Sequence, residues 1–136
     1  MNFILINFEN PLDTLQRDEI ERALNIAITS VRNITPVPRE GMTIEEYAYT
    51  VVKNLLDPEN EWSQSSAFII RPPDAAPVFF GIFMTAFDAA TEAHLAILRL
   101  QYTDDFPPEI DPQSTYAISL QHIRKRARQL RYTPEI

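Results

Sequence analysis

Residues 2–8, Asn-Phe-Ile-Leu-Ile-Asn-Phe, are apolar on both of the alternating faces that an extended segment presents. Such a strand needs packed layers on both sides, because each face left in water forfeits about 25 cal/mol per Å² of apolar surface. The segment therefore predicts a strand covered on both sides. It is far shorter than the roughly 20 apolar residues that span a bilayer, and no other run approaches that length. It also lacks the basic flank and small-residue cleavage site of a secretion signal. The expectation is an intracellular, cytoplasmic protein with no membrane span.

The remaining elements follow from periodicity and punctuation. Asp13 or Thr14 is expected to cap a helix reaching Asn33, with Leu15, Ile20, Leu24, Ile28 and Val31 as its apolar stripe. Thr43-Ile44-Glu45-Glu46 is a capping box, in which hydroxyl and carboxylate satisfy each other's backbone N–H. It opens a helix over Ile44–Leu56 that Asp57-Pro58 stops. Ser66–Arg71 and Pro77–Met84 read as paired strands, with Phe79, Phe80 and Phe83 as the aromatic centre and Gly81 marking a bulge or close packing. Residues 88–102 fit a helix from Asp88, the favoured reading, or end in a third meander strand. Ser114 or Thr115 is expected to cap a last helix reaching Tyr132, with Tyr116, Leu120, Ile123, Ala127 and Leu130 as a buried seam. The sum is an α+β fold in one domain, residues 1–136. Its small, mostly antiparallel sheet has about three strands, packed by about four helices.

Composition narrows the chemistry. The chain has no cysteine, which excludes disulfides, thiolate metal sites and cysteine nucleophiles. It has two glycines where about nine are usual, too few for a loop whose backbone cradles phosphate. No serine lies in a Gly-x-Ser-x-Gly turn, and neither His94 nor His122 has a partner ligand at helical spacing. The acids Asp104, Asp105, Glu109 and Asp111 lack the glycine of a calcium loop and are interrupted by prolines. No catalytic, metal or cofactor site is expected, and no enzyme activity.

Charge supplies the positive signal. Residues 121–136 hold Arg124, Lys125, Arg126, Arg128 and Arg131 against Glu135 alone. The other seven bases face eighteen acids, so residues 1–120 carry −11, which with the +4 of residues 121–136 gives the net −7. Arg124, Arg128 and Arg131 fall on one helical face with Lys125 beside them, suited to carboxylate or phosphate. Two further features fit an interface. Trp62 stands alone in an acidic loop, and Asp104 and Asp105 offer an opposite patch. The expected function is a small acidic protein that binds another protein by surface complementarity: an assembly chaperone, an inhibitor or immunity-type protein, or an accessory subunit. A homodimer joining the opposite patches is a further expectation. The alternative is a nucleic-acid-associated regulator using the basic helix, which the acidic body disfavours.

Overall fold

The computed structural model describes residues 2–60 and 66–132. In chain order these form β1 (Asn2–Asn7), α1 (Thr14–Leu24), β2 (Ser30–Asn33), α2 (Ile44–Leu55), β3 (Ser66–Arg71), α3 (Pro77–Ala90), β4 (His94–Arg99), β5 (Tyr116–Ser119) and α4 (Leu120–Arg131). The strands make one sheet in the order β2-β1-β3-β4-β5. β1 runs parallel to β2 and to β3, and β3 parallel to β4. Only β5 is antiparallel, against β4. The α+β class is right. The expectation of about three mostly antiparallel strands is not, since five strands form a mixed sheet among the described residues.

Local chemistry explains where the expected elements changed. Asp13 caps α1 by a reciprocal box, its carboxylate accepting from the Gln16 N–H at 2.7 Å while the Gln16 side chain accepts from the Asp13 N–H at 3.1 Å. The helix stops at Leu24 and does not continue to Asn33, because Asn25 takes the left-handed conformation (φ 54°) that ends helices. Two side chains then fasten the returning chain to the helix. Arg17 donates to the Ile28 carbonyl at 2.6 Å, and the Glu21 carboxylate accepts from the Ile28 N–H at 2.7 Å. Val31 thus lies in β2, and Leu15 points to water with 61% exposure.

The Thr43 capping box forms as expected, and α2 buries Tyr47, Ala48, Val51, Val52 and Leu55. The expected strand over Pro77–Met84 is instead the first part of α3. Pro77 occupies the first turn, where its missing N–H costs nothing. Phe79, Phe83 and Phe87 recur at intervals of four and are all buried. The strand propensity of Phe, Val and Ile was overridden by that spacing. Gly81 accordingly sits in a helix, not at a bulge. The helix expected over 88–102 survives only as the end of α3; His94–Arg99 is a strand whose residues 94–97 pair with β3. The expected last helix begins only at Leu120, because Tyr116–Ser119 completes the sheet as β5.

The chain leaves β1 in one direction for β2 and later steps the other way to β3 and β4. Crossovers of one hand then send α1 to one face and α2 and α3 to the other. The packing follows. Ile20 of α1 joins Leu5, Ile69 and Leu98 on the first face. On the second, α2 and α3 pack over Ile4, Ile6, Phe68 and Ile70. Phe83 is the hub of that layer, its ring centroid 4.9 Å from Phe8 and 5.2 Å from Phe87. Among the described residues no helix is long and apolar enough to cross a membrane.

Candidate functional site

In sheets that wind both ways from one strand, ligands commonly sit beyond the strands' carboxyl ends where the direction reverses. Here that point lies between β1 and β3, whose last residues, Asn7 and Arg71, are register partners. It is laced shut by the chain itself. Asn7 is fully buried. Its amide nitrogen donates to the Asn33 side chain at 2.9 Å and to the Asn10 carbonyl at 3.0 Å. Its oxygen accepts from the Glu9 N–H and from the Arg71 guanidinium. Arg71 also donates to the Asn10 carbonyl at 3.2 Å and to the Tyr102 hydroxyl at 3.4 Å. Glu9 accepts from the Asp74 N–H at 3.1 Å. These groups bind strand ends to loops, a structural use of Arg71 that its position alone would not reveal.

The basic C-terminal segment forms a helix for local reasons. Ser119 caps α4, its hydroxyl accepting from the His122 N–H, and Arg128 and Arg131 lie in the last turn, where cations complement the helix carbonyls. Residues 120–131 contain five bases and no acid. The expected buried seam is absent: α4 buries none of its residues. Leu120 alone packs partly against the core. Ile123 is 42% and Leu130 60% exposed, and Tyr116 is an exposed residue of β5. The seam was legible as a stripe, but the edge of the sheet gives it nothing to pack on.

The four bases expected to act together are divided. The Arg124 guanidinium is bound to the Asp88 carboxylate of α3, and both side chains are partly buried. Lys125, Arg128 and Arg131 lie exposed along the outer helix. Asp104 and Asp105 are exposed on the β4–β5 loop, whose base is closed by the bridge between Tyr102 and Ile110. That loop leaves the carboxyl end of β4, whereas antiparallel β5 delivers α4 to the opposite end. The acidic and basic patches are therefore not neighbours at their points of attachment. Trp62 lies outside the described residues. His94 and His122 are both exposed, and no group of three or more His, Asp or Glu among the described residues is arranged to hold a metal ion.

One surface was missed by the sequence reading. A groove of about 670 Å³ runs between α2 and α3, lined chiefly by Tyr49, Val78, Gly81, Ile82 and Ala86. Val78 is 62% exposed. Glu45 stands at its rim and accepts from the Tyr49 hydroxyl at 2.8 Å. That hydrogen bond and the carboxylate charge raise the Tyr49 pKa above its usual 10.0. Reading 77–84 as a strand hid the groove; the four-residue recurrence of Phe79, Phe83 and Phe87 was the signal available. Comparison with known proteins adds no relative: no family model, curated protein or solved structure matches the chain.

Proposed function

We propose that this chain is a non-enzymatic protein-binding protein and that α4 is the element it binds with. The observation that carries this reading is that α4 buries none of its residues, while Ile123 and Leu130 stand in water beside five cations. Magnitudes assign the roles. Burying an aliphatic side chain of this size contributes about 1.5–3 kcal/mol. An exposed ion pair contributes about 0.2–1 kcal/mol and mainly accelerates encounter. The stripe would hold the partner, while Lys125, Arg128 and Arg131 steer toward an acidic surface. Chaperone, inhibitor and accessory-subunit roles all operate in this way.

The test is capture of partners from the native host by the full chain, compared with an Ile123→Asp, Leu130→Asp double variant. The wild-type chain should recover a specific partner and the variant should lose it. Recovery that does not change would remove α4 from the reading. The five cations also favour a second reading, contact with nucleic acid. It predicts retention of duplex or single-stranded probes that weakens steeply with salt. A phosphate backbone makes no use of Ile123 and Leu130, which is why the protein reading is preferred.

A further inference from the structure

We propose that the groove between α2 and α3 receives α4 from a second copy of this chain, the two copies exchanging helices about a two-fold axis. This deepens the reading above, on which it rests, by naming the partner. Four observations lead to it. The surfaces match in kind: one is a convex helix with an apolar stripe, the other a concave apolar groove, the pairing by which amphipathic helices are recognised. They are opposite in charge. The groove is lined by Glu45 and by no cation, while the exposed charges of α4, Lys125, Arg126, Arg128 and Arg131, are all positive. Pairing α4 with α4 would instead bring like charges together.

The helix is also held away from its own groove. Ser119 ends β5 and Leu120 begins α4, so there is no linker on which the helix could swing. The Arg124–Asp88 pair fastens its first turns beside the end of α3. Gly81 adds the fourth observation. A glycine inside a helix costs about 0.5–1 kcal/mol relative to alanine. Nothing among the described residues requires it, since beyond its neighbours and its own helix backbone no atom lies within 4 Å of where a Cβ would be. The bare backbone lets a second helix approach closely on the groove floor. Two reciprocal contacts close the assembly at two subunits and add toward the roughly 800 Å² per partner of a stable interface.

The test begins with sedimentation equilibrium on the full chain, where the expected species is a dimer of the 15.7 kDa subunit. Gly81→Trp fills the groove and Leu130→Asp spoils the helix; both positions are exposed, so each variant should keep the circular dichroism and melting behaviour of a folded chain yet sediment as a monomer. Because the chain has no cysteine, Gly81→Cys and Leu130→Cys proteins can be mixed and treated with a short thiol-to-thiol crosslinker. The expected product is predominantly the mixed dimer, with little of either homodimer. A wild-type monomer at all concentrations, a dimer indifferent to both variants, or crosslinks mainly between identical variants would each overturn the proposal. If the wild type is monomeric but the α4 double variant still loses a captured partner, the inference falls and the function reading stands. If that variant also loses nothing, both fall.

Discussion

α2 and α4 are each twelve residues long, capped by a hydroxyl and apolar along one side, yet α2 buries five residues and α4 none. Local chemistry makes both helices. What separates them is where the chain delivers them. α2 carries the chain from the edge strand β2 across β1 to β3, so it must lie over the middle of the sheet. α4 follows β5, the other edge strand, and among the described residues no strand lies beyond it to cover. A helix of about twelve residues is marginal in water on propensity alone, so α2 draws its stability from packing and α4 has a face that remains available.

The largest expected effect tests this contrast directly. Phe83→Ala removes the hub of the α3 layer and should cost about 3–5 kcal/mol in denaturant unfolding. Leu130→Ala, measured on monomeric protein (the Gly81→Trp background), should stay within about 0.5 kcal/mol of its parent. Similar losses at the two positions would mean that α4 packs on its own chain after all.

Next in size is the closure of the strand ends. Arg71→Ala leaves the buried Asn7 oxygen and the Asn10 carbonyl each with one hydrogen bond fewer, and should cost about 1–3 kcal/mol. The same unfolding measurement checks it. An unchanged midpoint would show that this network is not structural and would reopen the crevice as a ligand site.

The two caps sharpen the comparison further. Thr43→Ala should lower global stability by about 1 kcal/mol, because α2 unfolds only with the core. Ser119→Ala should leave the global midpoint nearly unchanged while increasing amide hydrogen exchange across α4 in the monomer. Equal global losses would contradict the independence of α4.

The smallest effect concerns Tyr49. Its phenol is held protonated by the hydrogen bond to Glu45 and by that carboxylate's charge. The folded chain therefore binds this proton more tightly than the unfolded chain. Whatever stability the contact adds is present below pH 10.0 and fades as pH rises through the shifted value. Glu45→Gln should move the Tyr49 titration, read by ultraviolet difference spectroscopy, back toward its ordinary position. No movement would remove Glu45 as the cause.

The parts of the fold legible in the sequence were those whose local and long-range signals agree. β1 is apolar on both faces and is buried on both; the Thr43 box and its following stripe gave α2 nearly to the residue. The misreadings share a physical origin. β2 and β5 have four residues each, too few for two-residue alternation to stand out against an adjoining helical pattern. In α3 the aromatic run suits either period until its neighbours are known, and β4 was absorbed into the helical end of that segment. For the candidate site, the cationic cluster was plain from residue types. The Arg124–Asp88 pair was not, since its members are 36 positions apart, and a groove between two helices exists only once both are in place.

Ser119 belongs to two structures at once, closing a strand and capping a helix. Such a hinge-free joint makes α4 a lever. A load applied at its far end is transmitted into the outermost rail of the sheet, where the short ladder from Tyr116 to Ser119 and the Arg124–Asp88 pair resist peeling. Whatever grips this helix therefore also has mechanical purchase on the sheet's edge.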